Sequence, residues 1–315
     1  MISRRLIRIK VLKILFSYLN SGGTSIENAE KELIFSLNKT YELYHYFLLL
    51  PIEVADYAAQ QIALGKQKNR PTEAERNPNT KFADNAFVQL LREHANLHAF
   101  VEKHKFQWSP DVVKKAYQSL RSSPYYQQYM NRRDRSFFED KMLIIMFLER
   151  EFEDDEELNA ALEEQSIYWA DDLEFALSHS IKTCKSFGVN DNDTNELLPQ
   201  YKESEDEEFA SRLLSTAVLK SAEYQQIVDK YTKNWDVERV AFMDVVIMIT
   251  AIAELITFTN VPIKVSLNEY IEIAKYYSTP SSSTFINGVL DKIVIDFTEQ
   301  KIITKEGRGM VADNE

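Results

Sequence analysis

The sequence predicts an all-α protein, and three observations carry that reading. Apolar residues recur mostly at spacings of three and four. Leu, Ile, Ala, Glu, Lys and Gln dominate, a composition suited on the whole to helices. Only seven glycines and eight prolines occur in 315 residues, so turns are few and elements long. Hydrophobic residues make up 44% of the chain, enough to bury a core in one large domain or two ordinary ones.

The elements follow in order. Residues 4–19 read as a helix with Leu12, Leu15, Phe16 and Leu19 on its apolar face. Gly22 and Gly23 break it, and Thr24 or Ser25 can cap a second helix from about Ile26 to Lys39. A third pattern begins at Thr40, and Pro51 should kink or restart it. Lys66–Ala83, polar and carrying Pro71 and Pro78, reads as a long exposed loop. Helical patterns resume over Asn85–Lys105, Ser109–Ser122, Pro124–Asn131, Arg135–Glu151 and Glu156–Phe187, with Ser109 capping and Pro110 at the first helical position. Gly188–Glu208 is a second loop. Then come one helix over 207–231, a short turn and buried helix within 235–258, a helix after Pro262, and a last helix from the Ser/Thr cluster at 281–284 to about Lys301. Residues 301–315 read as a flexible tail. A faint echo between 125–152 and 223–255 fits either an old duplication or two generic helices.

Composition excludes several function classes. The single cysteine, Cys184, rules out a disulfide within the chain and fits a reducing cytoplasm. The basic, apolar N-terminus is interrupted by Arg8, Lys10 and Lys13 and has no small-residue cleavage site, so it does not read as a signal peptide. No stretch reaches the length of a membrane span. No Gly-rich nucleotide loop, Walker motif or nucleophile elbow occurs, so no cofactor is expected. His94 and His98 are spaced i, i+4 without the Glu or third ligand of a zinc site, so no metal is expected. The reading is of a non-enzyme.

Charge is polarised. The net charge is −12, concentrated in Glu149–Glu164 and Glu203–Glu208, whereas residues 1–20 carry Arg4, Arg5, Arg8, Lys10 and Lys13 and no acid. Arg4, Arg5 and Arg8 stand at i, i+1 and i+4, so one helical face carries three guanidinium groups that can fork onto phosphates or stack on bases, or simply be solvated. Ser282 and Ser283 offer hydroxyls at a helix start, and Phe285 follows as a stacking platform or a core residue. Lys264 can add a phosphate contact. Asp244, inside an aliphatic helix, must face solvent, a partner or a cation. Gly288 lies inside the last helix at a cost of about 1 kcal/mol against alanine, which suits a close helix crossing.

Val261–Lys292 resembles the C-terminal part of the NusB family of transcription antitermination factors. Val261, Pro262, Lys264, Val265, Asn268, Glu269, Glu272, Ala274, Lys275, Phe285, Asn287, Gly288, Val289, Leu290 and Asp291 fall in register with the family pattern without a gap. Upstream, residues 209–218 and 239–255 resemble two further family helices, and residues 3–16 resemble its arginine-rich first helix. Val245 and Ile249 replace basic residues of the family, and the loop 277–284 lacks its acidity. The resemblance implies a NusB-type bundle built from residues 1–40 and 205–300, with 41–204 as a helical insertion. It implies boxA-like RNA held by Arg4, Arg5, Arg8 and Lys10, with Lys264, Ser282, Ser283 and Phe285 nearby. Phe16 and Asp244 would meet the NusE ribosomal protein, and Glu254, Asn268, Asn287 and Gly288 would be structural, Gly288 seating the Ser/Thr loop near the opening arginines. The implied setting is an RNA polymerase elongation complex; a homodimer stays open. Two rival readings are a scaffold of this fold without RNA binding and a relative of the domain that precedes RNA cytosine methyltransferases.

Overall fold

The computed structural model describes residues 1–311 except 24, 151–161, 163, 191–193 and 234–239. It is all-α, as expected; among the described residues the only β feature is an isolated bridge between Ile2 and Tyr201. The helices are α1 (Arg4–Asn20), α2 (Ile26–Lys66), α3 (Glu73–Arg76), α4 (Ala86–Glu93), α5 (Ala95–His104), α6 (Pro110–Ser122), α7 (Pro124–Asn131), α8 (Phe137–Arg150), α9 (Leu173–Ser186), α10 (Asp206–Leu219), α11 (Ser221–Thr232), α12 (Phe242–Thr257), α13 (Ile263–Tyr277), α14 (Ser282–Glu299) and α15 (Arg308–Val311). The chain divides into two compact units. One holds Met1 and 38–200, the other 2–37 and 201–315.

In the unit of residues 2–37 and 201–315, α12 is central. It packs on α1, α10, α11, α13 and α14. Its run from Val246 to Leu255 is buried throughout, as expected of a helix apolar on every side. The N-terminal helix is nearly as enclosed: Leu6, Ile7, Val11, Leu12, Ile14 and Leu15 are all buried. Residues 301–311 do not form the flexible tail that composition suggests. Ile303 is buried, Lys305 donates to the Leu255 and Phe258 carbonyls, and the Glu306 amide donates to Thr259. The ammonium group thereby satisfies carbonyls left open at the end of α12.

In the unit of residues 38–200, α2 is the axis. The expected stop near Lys39 and restart at Pro51 do not occur: α2 runs through both, with Pro51 inside it. A proline in a helix interior costs about 3 kcal/mol. Here Leu48, Leu50, Ile52, Val54 and Ala55 are buried on both sides of it, and each large apolar side chain buried returns roughly 1.5–3 kcal/mol. The aromatic side chains of α2 are tied down by polar handles. Trp108 stacks on Tyr46 at 4.0 Å and its indole N–H donates to the Tyr46 carbonyl at 2.9 Å. Trp169 donates to the Lys39 carbonyl at 2.8 Å.

Two predicted helices are broken. Residues on both sides of each break are buried, Leu91 and Leu97 at the first and Val218 and Tyr224 at the second. At the first break His94 ends α4 and caps α5, its Nδ1 accepting from the Leu97 amide at 3.2 Å while Nε2 pairs with the Asn195 carbonyl at 2.7 Å. At the second, Lys220 separates α10 from α11. Within 156–187, residues 156–161 and 163 lie outside the described residues; the rest is a 3₁₀ turn at Ile167–Trp169 followed by α9. The predicted loop 66–83 contains α3, closed by a capping box between Thr72 and Glu75. It also buries Lys81, whose Nζ donates to the carbonyls of Tyr129, Arg132 and Asp134 at the end of α7.

His45 stacks on Phe100 at 3.7 Å and bonds the Tyr41 carbonyl through Nδ1 at 2.8 Å. Burial pulls its pKa down to about 4, a shift partly countered by the Tyr41 bond and reinforced by His104 and His94. A folded pKa below the unfolded value of about 6.5 contributes stability above pH 6.5 that is lost as pH falls toward 4. Melting curves at pH 7 and pH 4.5 should therefore show a smaller drop in Tm for His45→Gln than for the wild type. Equal drops would remove His45 as a cause of acid sensitivity.

Candidate nucleic-acid interface

The three N-terminal arginines share a helix but have different surroundings. Ser3 caps α1, its Oγ accepting from the Leu6 amide at 3.3 Å, which fixes where the arginines begin. Arg5 is 54% exposed and forks onto Glu269 of α13, at 2.8 Å from Nε and 2.7 Å from Nη2. Arg4 pairs with buried Asp206 at 2.9 Å and lies over the Phe209 ring at 5.0 Å. Asp206 in turn accepts from the Glu203 amide at 3.0 Å.

Arg8 is 3% exposed and is withdrawn from the predicted RNA face. Its Nε and Nη2 both reach Glu254 at 2.7 Å. Ser266 Oγ and the Tyr270 hydroxyl donate to the same carboxylate at 2.7 and 2.9 Å. Each Glu254 oxygen thus receives two hydrogen bonds, which fills the acceptor capacity of a carboxylate. Burial pulls the Arg8 pKa down, but the Glu254 charge and hydrogen bonds more than reverse this, so the guanidinium stays charged. Burial, then the Glu254 charge, pushes the Tyr270 hydroxyl well above its usual range, so it stays a donor. Arg8 stands four residues before Leu12 on a stripe that faces the core, where the buried Glu254 carboxylate meets it.

Lys10 is also buried, at 3%, and is no surface ligand. Lys264 is exposed on the first turn of α13, and Lys13 lies 5.3 Å over the Tyr277 ring. Arg5 meets Glu269 and Lys13 meets Tyr277, so eight residues along α1 match eight along α13. The two helices run parallel, and the Arg5-to-Lys13 span is about 12 Å. Exposed Arg5 and half-buried Lys13 therefore lie along one side of α1.

The Ser/Thr segment at the start of α14 is placed differently from expectation. Ser282 is 1% exposed, and its hydroxyl is engaged with Thr279 at 2.7 Å and Ser278 at 3.1 Å, so it is closed to a ligand. Ser278 donates to Asp244 near the start of α12, whereas Arg8 bonds Glu254 near its end. Those two points lie about 15 Å apart along the helix. The segment thus sits at the other end of α12 from the arginines, near the Lys13 end of that row. Ser283 and Phe285 are half-buried there.

The predicted partner residues also separate. Asp244 is buried and accepts from Ser278, which makes it a helix-start anchor instead of a docking residue. Phe16 is half-buried against the exposed Phe242, ring centroids 5.2 Å apart. Among the residues assigned structural roles, Glu254 is fully buried. Asn268 is exposed instead. Asn287 reaches Asp291 one turn along its own helix at 3.2 Å. Gly288 is half-buried in α14. Sequence reasoning missed Glu269 and Asp206 as partners of the arginines, and Ser266 and Tyr270 as donors to Glu254. The signal for Glu254 was present: an acid in the middle of an apolar run needs a hydrogen-bonding or charged partner when buried.

Breaking a buried ion pair by removing one partner costs about 3–5 kcal/mol, while an exposed pair is worth about 0–1 kcal/mol. Urea unfolding should show Arg8→Ala and Glu254→Ala in the first range and Arg5→Ala in the second. A loss for Arg5→Ala as large as that for Arg8→Ala would reverse the assignment of inner and outer arginine.

Comparison with known proteins agrees with this architecture. Residues 175–294 match the model of the NusB family; α1 lies outside that range. A protein of Salinibacter ruber named transcription antitermination protein NusB is 40% identical over 114 residues, 36% of this chain and 71% of the relative. Proteins of the same name from Chloroherpeton thalassium and Dictyoglomus turgidum are 38% and 39% identical over 104 and 99 residues, 33% and 31% of this chain and 49% and 68% of theirs. No solved structure matches the chain. Identity at this level over most of a relative's length places the chain in the NusB family.

Proposed function

We propose that this protein is a non-catalytic transcription antitermination factor of the cytoplasm that binds boxA-like RNA of ribosomal RNA precursors. In this reading it acts with the NusE ribosomal protein in an RNA polymerase elongation complex. The names of its relatives support the general activity. The observation that carries RNA binding is the row of Arg5 and Lys13 on α1 beside Glu269 and Tyr277 of α13, with Lys264 exposed on the first turn of α13. The exposed Arg5–Glu269 pair is worth so little in water that a phosphate can compete for the guanidinium. Phe285 and Ser283 continue the row. Phe16 with Phe242 is the surface proposed for NusE.

A scaffold reading has one specific observation in its favour. All three arginines are already paired with carboxylates, in a chain of net charge −12. The methyltransferase reading needs a reactive thiol, and Cys184 is fully buried with its pKa pushed up to about 12 by that burial. A thiol in that state is not a nucleophile at neutral pH.

Titration of a boxA-type RNA against Arg5→Ala/Lys264→Ala should show affinity about tenfold weaker at low salt. The slope of log affinity on log salt should shrink by about 1.4, or 0.7 for each lost single-strand contact. Unchanged affinity and slope would select the scaffold reading.

A further inference from the structure

The unit of residues 38–200 contains a groove of about 830 Å³ between α2, the end of α5 and the start of α6. Its floor is apolar, formed by Leu49, Ile52 and Val113. Tyr57 and Phe106 are half-buried on its walls. Glu53 projects into this setting from α2. Its carboxylate shares a single donor, the Trp108 amide, at 3.1 and 3.3 Å. Most of its acceptor capacity is therefore unused, and it has no cationic partner among the described residues. Burial, countered in part by the Trp108 amide and increased by Asp56, pushes its pKa up to about 7.

Carboxylates outnumber cations in the groove lining. Glu102 on the lip and the carbonyl end of α5 add negative potential. Asp56 is already answered by Arg92, and Lys105 supplies one cation at the rim. These carboxylates repel a nucleic-acid phosphate. The groove is open along its length, and the exposed amides of Gln60 and Gln107 line its edges, suited to an extended main chain.

We propose that this groove binds an extended segment of a basic partner protein, through an Arg or Lys side chain that pairs with Glu53 beside an apolar neighbour seated on the floor. The stem of such a side chain covers apolar surface while its head meets the carboxylate. Tyr57 and Phe106 offer ring faces to a guanidinium. The site lies in the segment that the matched family range leaves almost entirely uncovered, and it does not depend on RNA binding.

The probe is a fluorescein-labelled acetyl-Leu-Arg-Leu-amide peptide, read by fluorescence anisotropy on the full chain. The citrulline analogue, which keeps the shape and loses the charge, should bind about tenfold more weakly, the scale of a charge-assisted hydrogen bond. Glu53→Gln, which can still accept from the Trp108 amide, should lose a similar factor. Gln60→Lys, an exposed change that adds a like charge at the edge, should weaken binding several-fold and keeps the test valid should the Glu53 variant misfold. Affinity should also fall between pH 8 and pH 6 as Glu53 takes up a proton; the other charged groups around the groove are Asp56 with its partner Arg92, Glu102 and Lys105. Absence of binding, equal binding of the citrulline analogue, or equal affinity of both variants would overturn the proposal. Agmatine binding as tightly as the peptide would make the groove a small-amine site, and displacement of the peptide by a uridine-rich RNA would make it a nucleic-acid site; either result refutes the peptide reading.

Discussion

The buried ion pair of Arg8 and Glu254 is the constraint on which the unit of residues 2–37 and 201–315 depends. It joins α1 to α12, and through Ser266 and Tyr270 it joins both to α13. The Arg8 guanidinium also lies 5.5 Å over Phe209 of α10. One charged contact therefore sets the register of four helices. Desolvating two charges is costly, and only complete hydrogen bonding makes the arrangement stable. Apolar packing of the same volume would tolerate sliding by a turn; this carboxylate, with all its acceptor sites filled, does not.

The register has a consequence at the surface. Arg8 is held inward, Arg5 lies outward beside Glu269, and Lys13 lies about two turns farther along α1. The acidic character of the whole chain is compatible with a local basic row, because charges farther apart than about 8–10 Å are largely screened at physiological salt. The same reasoning separates the two ends of α12. The arginine end is held by a charged hub, and the other end by Asp244 with the serine cluster. The Phe16–Phe242 contact sits at that second end.

Much of this was legible in the sequence, for identifiable reasons. Helical class followed from apolar spacing, and the last two helices from their resemblance to a known pattern. The breaks at His94 and Lys220 were not legible, because the apolar spacing continues across both. The continuity of α2 through Pro51 was hidden by the opposite effect, a local penalty overruled by burial on every side. At the interface, the spacing of Arg4, Arg5 and Arg8 showed a charged face but not which member turns inward. That answer needed Leu12 and Leu15, which share a stripe with Arg8, and Glu254, the one acid deep in α12. The pairing of Arg5 with Glu269 spans 264 positions, and no local rule reaches that far.

The central claim is that Arg8 and Glu254 act as one structural unit. A double-mutant cycle with Arg8→Met and Glu254→Leu, measured by urea unfolding, tests it most directly. The account predicts that each single change costs several kcal/mol, about 3–5 for a buried pair broken on one side, and that the double variant recovers at least about 2 kcal/mol of the summed loss. Strictly additive losses would contradict it and show that the two side chains stabilise the bundle independently.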